Sequence, residues 1–79
     1  MDYKSRKEAE AAERKRAARL KRLEKEIGET ENAIRDVEER LASDEVGSDP
    51  ELVMLEYGKK AELEEKLNEL YNEWEEVLQ

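Results

Sequence analysis

Residues 20–41, LKRLEKEIGETENAIRDVEERL, decide the fold of this chain. Hydrophobic side chains recur in this stretch at alternating steps of three and four residues. One threonine interrupts the series, which is Leu20, Leu23, Ile27, Thr30, Ile34, Val37 and Leu41. Such heptad spacing keeps one stripe of a helix against a partner helix. The stretch therefore predicts a long helix that requires a second helix beside it.

The second helix is predicted to follow a turn in the same chain. Residues 42–50, ASDEVGSDP, are rich in turn-forming residues and end in the only proline, which cannot continue a helix already under way. Asp49 before Pro50 makes a good N-cap, with Ser48 and Glu51 as an alternative capping box. The predicted inner stripe of the second helix is Val53, Tyr57, Lys60, Ala61, Leu63, Leu67, Leu70, Trp74 and Val77, widened by Met54, Tyr71 and Leu78.

These patterns predict an all-α fold, an antiparallel two-helix coiled-coil hairpin. We expect a flexible N-terminal segment at residues 1–8 and a hairpin at residues 9–79, with helix 1 at about 9–42, a turn at about 43–49 and helix 2 at about 50–78. Pairing about the turn sets Val37 near Tyr57 and Leu20 near Trp74, so Trp74 is expected to anchor the open end. A monomer is expected, and a homodimer through parallel heptads is the alternative.

Composition excludes several classes of function. The 79 residues are 48% charged and 37% hydrophobic, with neither histidine nor cysteine, so nucleophilic triads and thiolate metal sites are ruled out. The isolated glycines form no phosphate-binding loop. We therefore expect a non-enzymatic chain with no catalytic residue, metal or cofactor of its own. No run approaches the roughly 20 apolar residues of a membrane span, which leaves the cytoplasm as the default location.

Charge is distributed unevenly along the chain. The net charge is -8, yet residues 1–22 carry nine Lys or Arg against four Asp or Glu. Six cations form the basic cluster, namely Arg14, Lys15, Arg16, Arg19, Lys21 and Arg22. Such a density attracts phosphate backbones without reading bases, and no aromatic residues are interleaved to stack on single strands. The alternative is that these cations pair with Glu69, Glu73, Glu75 and Glu76 on the second helix.

Four segments carry a resemblance to a known family. They are ERKRAARLKRLEKEI at residues 13–27, RLASDEV at 40–46, GSDPELV at 47–53 and LNELYNEWEEVL at 67–78. In this order and spacing they resemble the C-terminal coiled-coil domain of ABC-F ATPases, including the Uup-like ABC transporter C-terminal domain. The chain departs from that pattern at its opening, where the common Ser-Tyr-Lys-Glu is absent and only Tyr3-Lys4 and Arg6-Lys7-Glu8 stand in that region, and at Thr30, where leucine is usual.

The resemblance implies a cytoplasmic protein whose ABC ATPase domains precede this fragment and hold ATP and Mg. It further implies action on ribosomes in translation or on DNA. We therefore expect a non-catalytic accessory domain whose basic cluster binds DNA or ribosomal RNA electrostatically and positions the parent ATPase. A purely structural or protein-binding hairpin is the main alternative, and an arm of an aminoacyl-tRNA synthetase is another.

Overall fold

The computed structural model describes residues 2–79, which are almost entirely helical. Helix α1 spans Tyr3–Ala42, the one-turn helix α2 spans Asp44–Gly47, and helix α3 spans Pro50–Leu78. The Cα radius of gyration is 19.4 Å and the extents are 69 × 14 × 13 Å. A compact chain of this length would have a radius of gyration near 12 Å. The predicted all-α class is confirmed, and the molecule is a thin rod.

Helix α1 begins earlier than the sequence predicted. Within the predicted flexible segment 1–8, Met1 lies outside the described residues and residues 3–8 are helical, so helix 1 begins at Tyr3 and not near residue 9. The segment contains neither glycine nor proline, and Lys7 Nζ lies 5.7 Å from the centre of the Tyr3 ring, one turn away. Helix propensity and this i,i+4 contact favour helix even without a hydrophobic stripe.

Side-chain caps fix the turn between α1 and α3. The Ser43 hydroxyl oxygen accepts a hydrogen bond from the Val46 N–H at 3.3 Å at the start of α2. An Asp49 carboxylate oxygen accepts from the N–H groups of Glu51 and Leu52 at 3.0 and 3.3 Å, and Pro50 is the first residue of α3. Asp49 is therefore the N-cap of α3, as predicted, and the predicted turn at 43–49 contains the extra helix α2.

Polar contacts between α1 and α3 follow a consistent order. Arg16 contacts the last turn of α3, Arg19 lies 3.6 Å from Glu73, and Arg40 lies 2.8 Å from Glu56. Residue numbers in α3 therefore fall as those in α1 rise. Because the last turn of α3 lies opposite Arg16, the first thirteen residues of α1 extend past the end of α3.

The stripe predicted on α1 is its buried face. Leu23, Ile27, Thr30 and Val37 are buried, whereas Leu20, Ile34 and Leu41 are half-buried. Thr30 is tolerated there because its hydroxyl donates a hydrogen bond to the Glu26 carbonyl oxygen at 2.8 Å. The hydroxyl at this position of the seam is therefore satisfied within its own helix.

The stripe predicted on α3 was wrong between Met54 and Ala61. Tyr57 is 55% exposed and Ala61 and Met54 are also exposed, whereas Glu56 is buried. The inner face keeps strict heptad steps, passing through Val53, Glu56, Lys60, Leu63, Leu67, Leu70, Trp74 and Val77. The sequence prediction preferred the aromatic Tyr57 to the charged residue before it, although heptad spacing points to Glu56.

Partners on both helices explain why a glutamate occupies this position. The Glu56 carboxylate accepts hydrogen bonds from Arg40 Nε at 2.8 Å and from Lys59 Nζ at 3.1 Å. The hydrogen bond from Arg40 is the main reason that the pKa of Glu56 lies below its ordinary value of 4.5, outweighing burial, which acts to raise it. Lys60, one turn on, lies 3.2 Å from Glu38 of α1. Both charged inner positions of α3 are therefore neutralised by side chains of α1.

Trp74 lies near the opposite end of the inner face and is half-buried. Its ring meets that of Tyr71 edge-on, with centroids 6.5 Å apart, and its Nε1 is buried without a hydrogen-bond partner among the described residues. Tyr71 donates a hydrogen bond across to Glu31 at 2.8 Å, which raises the pKa of Tyr71. The Tyr71–Glu31 hydrogen bond adds a further polar contact between α1 and α3.

Candidate nucleic-acid interface

The heptad of α1 assigns every residue of the basic cluster to a face. With Leu20 at position a and Leu23 at position d, these two positions face α3, g and e flank them, and b, c and f face outward. The six predicted cations do not share one face.

Four cluster residues lie on the outer face. Arg14 and Lys21 are at b positions, Lys15 and Arg22 are at c positions, and all four are exposed. Among residues 2–79, no carboxylate lies within 4.0 Å of their charged groups. Their charges are therefore available to an external anion.

The other two cluster residues face α3. Arg16 is at a d position, where its Nε donates to the Val77 carbonyl oxygen at 2.8 Å and its Nη2 to that of Leu78 at 3.1 Å. Arg19 is at a g position and lies 3.6 Å from Glu73. Pairing with the second helix is therefore the better interpretation for these two residues. Of the four glutamates proposed as partners, only Glu73 pairs with the cluster in the described part of the chain.

The outer face carries more cations than the sequence analysis identified. From Lys4 to Arg35, the b and f positions of α1 contain no acidic residue. Their cations form the outer basic stripe, which consists of Lys4, Lys7, Arg14, Lys21, Lys25 and Arg35. The intervening b and f positions hold Ala11, Ala18, Gly28 and Asn32. At 1.5 Å per residue the stripe is about 46 Å long. Lys4, Lys7, Lys25 and Arg35 were missed because acidic residues separate them in sequence. These acidic residues lie outside the b and f positions, but Glu8 and Glu29 are at outward c positions beside the stripe.

Charge is segregated across the rod. Helix α3 carries nine glutamates against three lysines, whereas the outer face of α1 is cationic. The two short extents of the rod are 14 and 13 Å, and the Debye length at physiological salt is about 8 Å. At physiological salt the outer face of α1 is therefore largely screened from the carboxylates of α3.

The surface depressions of the rod are open grooves. One of about 430 Å³ lies between α1 and α3 and is lined by Val37, Leu63 and charged side chains that include Arg40 and Lys59. It holds no nucleophile beside a base. Acid–base and nucleophilic catalysis require an enclosed site with such a pair.

The thin helical rod matches a known family of domains. The family model of the ABC transporter C-terminal domain matches residues 1–78, and the chain belongs to that family. The family is a small helical domain and not a catalytic domain by itself. Neither the curated proteins nor the solved structures that were searched contain a significant match.

Hydropathy adds one further fact about the helices. Among residues 2–79, none of them combines the length and the apolar character that crossing a bilayer would require.

Proposed function

We propose that this domain is the C-terminal accessory coiled coil of an ABC-F ATPase, and that it binds nucleic-acid backbone along the outer basic stripe. In this proposal α1 and α3 form an antiparallel two-helix coiled-coil hairpin in the cytoplasm, and the bound nucleic acid positions the preceding ATPase domains on their target. The single observation that carries the proposal is the run of unpaired cations at b and f positions over about 46 Å of α1.

The form of the stripe favours duplex over single-stranded nucleic acid. Its b and f positions contain cations, small residues and one asparagine but no aromatic side chain, so bases have nothing to stack on. Phosphates of a duplex succeed one another every ~3.4 Å along each strand, and a straight row of cations about 46 Å long spans more than one helical turn. DNA and ribosomal RNA share this phosphate chemistry, and the experiment has an arm for each.

Two features near the stripe support the approach of nucleic acid from the α1 side of the rod. Lys15 and Arg22, at c positions, widen the cationic surface where the predicted cluster lies. The acidic α3 lies on the opposite side of the rod, so a phosphate backbone approaching from the α1 side meets the attractive face first. Helix α3 supports the part of α1 that it packs against, which carries Lys21, Lys25 and Arg35 of the stripe.

The experiment measures binding of fluorescent duplexes of about 20 base pairs, one DNA and one RNA, by anisotropy at 0.1 M salt. The triple variant Arg14→Gln, Lys21→Gln, Lys25→Gln removes three outward cations. The matched control Asn68→Asp, Asn72→Asp, Gln79→Glu makes the same change in net charge at exposed positions of α3 and the C-terminus.

The proposal predicts that the stripe variant binds at least about 100-fold more weakly than the parent chain, whereas the control stays within a few-fold. Equal weakening by both variants would show that only net charge matters. Absence of binding to either duplex at low salt would leave a purely structural or protein-binding hairpin as the function. A preference for single strands would contradict the assignment to duplexes.

A further inference from the structure

The seam between α1 and α3 is more open on one side than on the other. With Val53 at a and Glu56 at d, α3 is described in the same heptad notation as α1. Most d positions of the seam are buried, namely Leu23, Thr30, Val37, Glu56 and Val77. Most a positions are only half-buried, namely Leu20, Ile34, Leu41, Val53, Lys60, Leu67 and Trp74. Each a position borders an e position, so solvent reaches the seam from the e side.

The e positions of the two helices meet along this open side. Tyr71 and Glu31, joined by a hydrogen bond of 2.8 Å, are both at e positions. Glu38, also at e, lies 3.2 Å from Lys60 at an a position. The e edge consists of Glu24, Glu31 and Glu38 on α1 and of Tyr57, Glu64, Tyr71 and Leu78 on α3.

Large hydrophobic side chains are exposed on the e edge of α3. Tyr57, Tyr71 and Leu78 are 55, 38 and 46% exposed. They are separated by whole heptads, so they lie in one line along the helix. The half-buried Leu67 and Trp74 lie beside this line at a positions. Scattered exposed hydrophobic residues are common on proteins, whereas a row of them beside an open seam indicates an interaction site.

The charge of the e edge is uniformly negative. No e position of α1 or α3 in the described part of the chain holds lysine or arginine. Of the glutamates on this edge, Glu38 is paired with Lys60. Glu24, Glu31 and Glu64 have no ion-pair partner among residues 2–79. The edge therefore combines an incompletely covered apolar seam with unpaired carboxylates on both helices.

We propose that the e edge docks a cationic amphipathic helix of a partner protein as a third helix beside α1 and α3. The apolar stripe of that helix covers Tyr57, Tyr71, Leu78 and the open a positions. Lysine or arginine residues that flank the stripe meet Glu24, Glu31 and Glu64. Apolar inner positions with complementary charges at the flanking positions are the features by which coiled-coil helices select their partners.

Charge complementarity selects this occupant over the others. Nucleic acid and anionic membranes would place negative charge against the glutamates, and two e edges would repel each other in the same way. The outer basic stripe of a second copy carries cations, but its intervening residues are alanine, glycine and asparagine. It therefore has no large apolar side chain to cover the seam. The e edge is also separate from the b and f positions proposed to bind nucleic acid.

The probe is a synthetic peptide of three heptads with leucine at a and d and lysine at e and g. As a helix it is about 32 Å long at 1.5 Å per residue, which matches the distance along α3 from Tyr57 to Leu78. It is titrated into the isotope-labelled full chain and followed by NMR chemical shifts.

Two pairs of variants separate the e edge from the rest of the surface. Glu24→Gln, Glu64→Gln removes two carboxylates of the edge, and its control Glu62→Gln, Glu69→Gln removes two from exposed c positions of α3. Tyr57→Ser removes an exposed hydrophobic residue of the edge, and its control Met54→Ser removes one from a b position. Circular dichroism checks that each variant folds.

We expect shift changes at a and e positions of both helices. Binding should weaken about fivefold in Glu24→Gln, Glu64→Gln and about tenfold in Tyr57→Ser, while each control stays within about twofold of the parent chain. A peptide with alanine in place of leucine should bind less tightly.

Three results would overturn the proposal. Shift changes centred on c and f positions of α3, with equal weakening in both glutamine variants, would show attraction by net charge alone. Absence of peptide binding would remove the third helix. A parent chain that is dimeric by sedimentation, and monomeric in Tyr57→Ser, would assign the e edge to a second copy.

Discussion

Replacing Arg16 with alanine should destabilise the fold while leaving the proposed nucleic-acid binding nearly unchanged. The guanidinium of Arg16 donates to the carbonyl oxygens of Val77 and Leu78 at 2.8 and 3.1 Å. The last carbonyls of a helix have no partner within the helix, and the negative end of its dipole favours a cation. Arg16 therefore fastens the end of α3 to α1, although the sequence places it within the basic cluster.

The expected magnitude follows from this geometry. A hydrogen bond from a charged donor contributes about 1.5–3 kcal/mol when shielded, and a cation at a helix C-terminus about 0.3–1 kcal/mol. The Arg16 side chain is 40% exposed, so water replaces much of the lost interaction. The net loss should be about 1–2 kcal/mol, which lowers the melting temperature of a chain of this size by several degrees, at about 4–8 °C per kcal/mol.

Urea denaturation followed by circular dichroism measures this loss. The matched control is Arg14→Ala, two residues away on the outer face, where the free energy of unfolding should change by less than about 0.5 kcal/mol. The loss in the free energy of unfolding for Arg16→Lys should lie between those of Arg16→Ala and Arg14→Ala, because lysine keeps the charge but not the planar guanidinium that reaches both carbonyls. Equal stability of Arg16→Ala and Arg14→Ala would refute the assigned role. So would a loss of duplex binding in Arg16→Ala as large as that in Arg14→Ala.

Three further substitutions test the seam and the surface. Leu23→Ala removes a fully buried side chain and should lower the free energy of unfolding by about 2–3 kcal/mol in urea titrations, whereas a loss below about 1 kcal/mol would place Leu23 outside the core. The lowered pKa of Glu56 predicts that its contribution to stability is present above 4.5 and is lost as the pH falls through the still lower pKa of the folded state. Stability of Glu56→Gln, measured from pH 7 to pH 3, should therefore fall less steeply than that of the parent chain, and parallel curves would contradict the assignment. Gly58→Ala should raise the free energy of unfolding by about 0.5–1 kcal/mol, since an added Cβ meets nothing within 4 Å, and a lower thermal midpoint would show an unrecognised constraint.

Periodicity made the seam of α1 predictable but not the start of the seam on α3. In α1 every a and d position from Leu20 to Leu41 is apolar or a threonine that bonds its own backbone, so spacing and hydropathy agree. In α3 the spacing places Glu56 on the inner face, whereas its hydropathy predicts an exposed residue. Burial there depends on Arg40, sixteen residues away in sequence, and hydropathy along the chain cannot weigh an ion pair that only the fold creates.

The sequence showed that α1 is rich in cations, but the sequence analysis did not predict which of these cations share a face of the helix. Continuing the heptad four residues back from Leu20 would have placed Arg16 on the inner face. The same frame would have gathered Lys25 and Arg35 onto the outer face. The helical state of residues 3–8 was harder to predict, because an exposed helix leaves no hydrophobic period in the sequence.

The salt dependence of duplex binding tests the central claim most directly. Each phosphate contact contributes about 0.9 to the slope of log K against log salt concentration. If the outer basic stripe binds the backbone, Arg14→Gln, Lys21→Gln, Lys25→Gln should reduce this slope by about 2.7 relative to the parent chain, while Asn68→Asp, Asn72→Asp, Gln79→Glu leaves it unchanged. An unchanged slope in the stripe variant would contradict the claim.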